Sequence, residues 1–270
     1  FFVFGLPKSG TTWLQMMLDA HPAVSCPSEH QVSHFLEGLP KLVNDYNWVL
    51  REIDRRTANQ SATPLDNRDL MAITRAAIEA CIDSGARRKT AHAAGIKDNT
   101  VASHFELFRS LFPDARYLCI VRDPRDTALS SWHHNSRVEP GFRDRAPDFA
   151  NWAGQTWARW IALYGLMIGT TGGAMEGDGV LILRYEDLRG EAREAALRRA
   201  FAHIGVALDA GDSAALFGAT EIERLRQGPG AAFYREGRAE GWRLAPEAAL
   251  LPTTTERARN LVLRFGYPEQ

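Results

Sequence analysis

The chain has 270 residues, a formal net charge of −1, 45% hydrophobic residues and 24% charged residues. It is too apolar for intrinsic disorder, has no uninterrupted apolar run of about 18 residues to span a membrane, and lacks the Gly/Pro period of a fibrous protein. The near-zero balance argues against wholesale coating of nucleic acid or an anionic membrane, and the length suits one domain over residues 1–270.

Phe1–Gly5 reads as a short buried strand. Leu6-Pro7-Lys8-Ser9-Gly10 supplies a turn. Trp13, Leu14, Met17 and Leu18 then recur at helical spacing, which predicts a helix from Thr11 to about Ala20. His21-Pro22 ends it. Residues 31–56 and 68–83 read as helices joined by a loop at 61–66. Ala91–Ile96 reads as a short strand, Ser103–Leu111 as a helix and Pro113-Asp114 as a turn. Tyr117–Val121 is a continuous apolar run of the kind buried on both faces of a parallel sheet. Asp123 is a good N-cap and Pro124 a good first-turn residue for a helix to about His134. An aromatic-rich helix covers about 148–168. Gly172, Gly173, Gly177 and Gly179 frame a loop before the strand Val180–Leu183. Helices follow over about 191–203 and 253–264, with a Gly/Arg-rich loop at 228–243 between them. Strands alternating with helices predict an α/β fold with a central parallel sheet flanked by helices.

Chemistry enters at the first turn. Gly5-x4-Gly10 followed by Thr11 and Thr12 has the frame of a P-loop, in which backbone N–H groups and a helix N-terminus cradle an anion. The usual frame puts Lys at position 11. Here position 11 is Thr and the lysine is Lys8, inside the loop. A nucleotide triphosphatase of this type also needs an acid at the end of a later strand to hold magnesium. The candidate strand, Tyr117–Val121, ends instead in Arg122, a fixed cation with a planar donor fork. A cation there repels Mg²⁺ and attracts a second phosphate. The pattern therefore asks for a ligand with anions at two separate places and no metal.

These stretches carry a family resemblance. Pro7-Lys8-Ser9-Gly10-Thr11-Thr12-Trp13-Leu14 resembles the 5′-phosphosulfate loop of the sulfotransferases that use 3′-phosphoadenosine 5′-phosphosulfate (PAPS). Leu111–Arg116 through Val121-Arg122-Asp123-Pro124-Arg125-Asp126, with Ala128 and Ser130, resembles their 3′-phosphate segment. Tyr185-Glu186-Asp187-Leu188 is similar to a third motif. Tyr234-Arg235-x-Gly237 with Gly241-Trp242-Arg243 is similar to the C-terminal loop. The four run in family order along nearly the whole chain. The resemblance implies a P-loop NTPase-like sulfotransferase fold, PAPS as donor, adenosine 3′,5′-bisphosphate (PAP) as product and no metal. It also implies roles. Lys8 contacts the bridging oxygen of the leaving phosphate, and Ser9, Gly10, Thr11 and Thr12 bind the 5′-phosphate. Arg122 and Ser130 bind the 3′-phosphate, Arg235 and the Gly237 backbone close over it, and Trp13 and Tyr185 hold adenine. Thr220 is a weaker adenine-side match.

There are departures. Glu236 stands where the family usually has Lys, and Glu240-Gly241 replaces Gly-Asp. Cytosolic members place a catalytic His shortly after a Lys, whereas Lys97-Asp98-Asn99-Thr100 contains none. The chain is closer to the glycan-modifying and bacterial branches, in which a Glu precedes a His-Phe pair. Glu29, ahead of His34-Phe35, is thus the first candidate base. His34 is second, followed by His92 and the His133-His134 pair. Lys97 is a further site candidate. Two other readings are a P-loop kinase or NTPase, which needs ATP–Mg²⁺, and a non-catalytic nucleotide-binding module.

The acceptor is less determined. A small molecule, a lipid or a glycan is expected, and no nucleic acid, because acids interleave with the arginines. Trp48, Trp132, Trp152, Trp157 and Trp160 are candidate walls of an acceptor cleft, although the helical spacing of the last three is more often that of core residues. The Arg143–Arg145 region is a candidate for greeting an acidic acceptor. Cys26, Cys81 and Cys119 are odd in number and widely spaced, without zinc spacing, so reduced thiols in a cytoplasmic protein are expected. No secretory signal is visible, and a targeting segment or anchor upstream of Phe1 stays open.

Overall fold

A computed structural model describes residues 1–27, 29–58, 62–220, 240–252 and 256–269. Its strands are Phe2–Gly5 (β1), Val24–Ser25 (β2), Ala93–Ala94 (β3), Ile96–Lys97 (β4), Tyr117–Val121 (β5), Glu176–Gly177 (β6) and Val180–Arg184 (β7). The helices are Thr11–Ala20 (α1), Ser33–Thr57 (α2), Asn67–Lys89 (α3), Thr100–Ser103 (α4), Phe105–Leu111 (α5), Pro124–Val138 (α6), Phe142–Arg145 (α7), Phe149–Thr170 (α8), Tyr185–Arg189 (α9), Arg193–His203 (α10), Ala210–Ala219 (α11) and Glu256–Arg264 (α12). Two 3₁₀ turns cover Gly241–Leu244 and Pro246–Leu250.

The main sheet has the order β4-β1-β5-β7-β6. The first four strands are parallel, and β6 pairs antiparallel with β7 at the edge. Successive strand residues point to opposite faces, and both faces are covered. Phe2, Phe4, Tyr117, Cys119, Val121, Val180 and Ile182 pack with α5, α8 and α12. Val3, Leu118, Ile120, Leu181 and Leu183 pack with α1, α10 and α11. This is why those strands read as unbroken apolar runs. A third cluster joins Ala128, Leu129 and Trp132 of α6 to Phe142, Phe149 and Trp242.

Three expectations are refined. The strand expected over 91–96 is two short strands, because Gly95 switches the chain from pairing with β2 to pairing with β1. Its N–H donates to the Ser25 carbonyl at 2.9 Å, and a Cβ there would collide with the Phe1 carbonyl. The helix expected to stop near residue 83 continues to Lys89. Gly85 lies within α3 at a close approach, where a Cβ would meet Ser25 Oγ at 2.8 Å. The aromatic Trp157 and Trp160 of α8 belong to the core, Trp132 to the third cluster, and Trp48 is exposed on α2.

Parallel pairing brings the strand ends to one edge. In register, Val3 faces Lys97, Gly5 faces Ile120, and Val121 faces Arg184. The residues just beyond these ends, Lys8, Arg122 and Tyr185, therefore emerge beside Lys97 at the carboxyl edge of the sheet, where open α/β sheets bind ligands.

Candidate active site

A cavity of ≈ 400 Å³ opens at that edge. Its lining includes Lys8, Gly10, Thr11, Thr12, Trp13, Glu29, Lys97, Arg122, Ser130 and Tyr185. Lys8 and Tyr185, 177 positions apart, thus share one space, as the motifs required.

The loop is built for an anion. Ser9 N–H and Oγ–H both donate to the Leu6 carbonyl, at 3.1 and 2.7 Å, which closes a tight turn. That turn holds Lys8 at φ 73° and Gly10 at φ 102°. A Cβ on Gly10 would meet the Tyr185 ring at 2.5 Å, so glycine lets the aromatic ring lie directly against the loop. No side chain caps α1, so its first N–H groups face the cavity end of the helix without a side-chain acceptor. Ser9 is fully buried with its hydroxyl committed to the turn, and it lies outside the cavity lining.

The second cation is fixed from several sides. Arg122 Nη1 donates to the Lys8 carbonyl at 3.2 Å, Nη2 lies 3.7 Å from Asp126 Oδ2, and the guanidinium sits 4.6 Å from the Tyr185 ring centre. Tyr185 is buried, which pushes its phenol pKa up, and meets Trp13 edge-on at 5.9 Å. The Trp13 indole N–H donates to the Thr220 carbonyl at 2.9 Å. Asp123 serves the scaffold: it caps α6 and receives two bonds from the Arg125 guanidinium at 2.9 and 2.7 Å.

Glu29 and Lys97 meet across the cavity wall, Nζ donating to Oε2 at 2.8 Å. Lys97 is buried and Glu29 is more open. Among the described residues no hydrogen bond reaches Glu29 Oε1. Lys8 sits among like charges. Burial first, then Arg137, Arg122 and Lys97, push its pKa down to about 8.

Of the histidines, only His134 lines the cavity. Burial, then Lys8 and Arg137, push its pKa down to about 4. His34 is exposed on the first turn of α2, outside the cavity lining, and His92 is exposed next to β3. His133 turns towards Glu247, 3.5 Å away. Arg235 and Gly237, with Tyr234 and Glu236, lie outside the described residues.

Sequence reasoning missed Asn135, Arg137 and Arg159 as cavity residues. A signal was present. Thr127, Ser130, Ser131, His134 and Arg137 recur at helical spacing on α6, and Trp152, Thr156 and Arg159 do so on α8. Both are largely polar stripes on helices that also carry core residues. Of the five tryptophans considered for an acceptor wall, Trp152 is the one in the lining.

A parallel sheet with a phosphate-type loop after its first strand defines an α/β protein of P-loop architecture. A family model described as the sulfotransferase family matches residues 1–210, and the chain belongs to that family. It is 32% identical over 133 residues to protein-tyrosine sulfotransferase A of Caenorhabditis elegans, a match covering 48% of this chain and 32% of that protein. It is 28% identical over 131 residues to the protein-tyrosine sulfotransferase of Drosophila melanogaster, covering 48% and 24%. The match thus spans a third or less of the length of these curated relatives. Among solved structures, mouse sulfotransferase SULT7A1 complexed with PAP superposes with a TM-score of 0.54 at 14% identity, covering 98% of this chain and 81% of that one. Retinol dehydratase in complex with androsterone and inactive cofactor PAP gives 0.51 at 16%, covering 97% and 79%. Both share the fold.

Proposed function

We propose that this chain transfers the sulfuryl group of PAPS to an acceptor hydroxyl or amine, acting over residues 1–270 as one catalytic unit. The observation that carries this reading is the single cavity lined by both Lys8 and Arg122, with the Glu29–Lys97 pair in its wall. In this reading the α1 N-terminus and Thr11–Thr12 hold the 5′-phosphate. Arg122 and Ser130 hold the 3′-phosphate, and Arg235 and Gly237 are assigned there by resemblance. Trp13 and Tyr185 hold adenine.

The reaction is in-line displacement at sulfur. The bond from sulfur to the bridging phosphate oxygen breaks, a bond to the acceptor oxygen or nitrogen forms, and the acceptor proton leaves. Lys8 neutralises the charge gathering on the departing phosphate. A preorganised donor of this kind is worth roughly 10²–10³ in rate. Glu29 Oε1 takes the proton while Lys97 fixes Oε2. Positioned proton transfer contributes roughly 10²–10⁴. PAP is the product, and the transfer needs no metal in this scheme. Three free cysteines, two of them buried, suit the reducing cytoplasm. Among the described residues no helix is long and apolar enough to cross a membrane.

His134 is the second candidate for the proton, because it lines the cavity and its lowered pKa keeps the ring neutral. The two are separated by Glu29→Gln and His134→Gln in single turnover. Glu29→Gln is expected to lose at least a hundredfold in rate with PAP affinity intact, and His134→Gln to lose little. The reverse pattern moves the base to His134.

The donor is tested by thermal melting. PAP at 100 times its dissociation constant stabilises by about 2.7 kcal/mol. The upward shift is expected with EDTA present and to exceed that of ATP–Mg²⁺. A shift with ATP–Mg²⁺ alone supports a kinase instead.

A further inference from the structure

Resting on the sulfotransferase reading, we infer that the acceptor site continues past Asn135 and Trp152 into a second cavity, and that this cavity takes a glycosyl unit of a longer carbohydrate acceptor. The second cavity measures ≈ 260 Å³ and is walled by residues of α6, α7 and α8 and the segments joining them. Asn135 and Trp152 line both cavities, so one amide and one indole form the wall between them.

Volume argues for continuity. At ≈ 400 Å³ the first cavity lies near the low end of the roughly 300–1,000 Å³ usual for one ligand. A nucleotide donor fills most of such a space, leaving room for the reacting end of an acceptor. The rest of the acceptor must leave the cavity, and the Asn135–Trp152 wall adjoins the second cavity.

The lining chemistry argues for sugar. Three amides, Asn135, Asn151 and Gln155, offer donors and acceptors together, the pairing that vicinal hydroxyls need. Gln155 Nε2 donates to Asn151 Oδ1 at a loose 3.4 Å, so both keep most of their capacity. Glu139 is held by Arg145, and the Asp148 carboxylate caps α8 through the Ala150 and Asn151 N–H groups. Arg145 neutralises the first charge, and the N-terminus of α8 compensates the second. The Trp152 indole N–H already donates to Ser131 Oγ at 3.0 Å, so its ring serves as apolar surface for the C–H groups of a pyranose. The walls come from helices and offer no unpaired strand edge, the feature that extended peptides use.

The test uses the full chain saturated with PAP. Glucose, N-acetylglucosamine and galactose are titrated beside cellobiose, N,N′-diacetylchitobiose and lactose by calorimetry, with an acidic tyrosine peptide as a further arm. For at least one pair the disaccharide is expected to bind fivefold or more tighter than its monosaccharide. Asn151→Ala with Gln155→Ala is expected to erase that gain. Both residues are exposed and outside the first cavity, so PAP affinity and monosaccharide binding stay unchanged. No gain with length in any pair, or a gain that survives the double variant, overturns the inference. Binding of the peptide alone, lost in the double variant, overturns it in favour of a peptide groove. Failure of PAP itself to bind refutes the donor reading, and is seen before any sugar is added.

Discussion

Lys8 is the residue on which the proposed chemistry turns, and its placement is costly. It occupies the left-handed region at φ 73° and is partly buried with Arg122, Arg137 and Lys97 around it. Its pKa of about 8 lies below the ordinary 10.5, so the fold disfavours the charged form that a leaving phosphate needs. Below pH 8 the protonated ammonium therefore subtracts stability, and the penalty fades as pH rises from about 8 to 10.5. Lys8→Met keeps the stem and removes the charge. It is expected to raise the melting temperature of the ligand-free protein at pH 7 while lowering turnover by roughly 10²–10³. A melting temperature that falls would show that Lys8 is held by favourable contacts instead. Gly10→Ala makes the opposite case. Its φ of 102° and the 2.5 Å approach to Tyr185 leave no space for a methyl group. PAP binding and melting temperature are expected to fall together in that variant.

At the scale of elements, α6 carries the most. Asp123 at its N-cap is 2% exposed and holds Arg125, 1% exposed. The Arg125 guanidinium lies 4.1 Å from the Trp242 ring centre, and Asp126 Oδ1 accepts the backbone N–H of Trp242 at 2.8 Å. The helix start is thus tied to the 3₁₀ turn at Gly241–Leu244. Removing one partner of a buried pair costs about 3–5 kcal/mol. Asp123→Ala should lower the urea midpoint accordingly, whereas Asp123→Asn, which keeps a capping oxygen, should lose less. Equal losses in the two variants would assign the effect to the charge alone. This helix was legible in the sequence from Asp123-Pro124 onward, as were β1, α1, β5 and α8, because caps and apolar periods are local signals. The short strands β2 and β6 were not, since two residues have no period. Helix α11 was also missed, although Asp209 caps it by accepting the Asp212 N–H. The site divides the same way. Motif residues with fixed backbone neighbours were readable, whereas Arg137 and Arg159 join the cavity only once α6 and α8 pack and turn their polar stripes inward.

The whole molecule has a net charge of −1, but its charge is unevenly placed. Of four lysines among 28 arginines, Lys8 and Lys97 both line the cavity, with Arg122, Arg137 and Arg159 beside them. Against these five cations stand Glu29, paired to Lys97, and Asp126, which lies 3.7 Å from Arg122. Burial raises the Asp126 pKa, which further weakens its share of the compensation. Arg137 and Arg159 have no carboxylate within ion-pair distance among the described residues. A cationic cavity in a chain whose remaining charge is net acidic focuses the field on the ligand entrance. Salt shortens its reach from about 10 Å at 0.1 M to about 3 Å at 1 M. The dissociation constant for PAP is expected to rise at least tenfold over that range, and Arg137→Gln to flatten the slope. Affinity should also fall as pH rises through about 8, where Lys8 of the free protein loses its proton, with proton uptake on binding in calorimetry. Lys8→Arg, charged throughout, should remove the pH dependence and keep the salt dependence. Should both dependences persist unchanged in Lys8→Arg, the titrating group is another one.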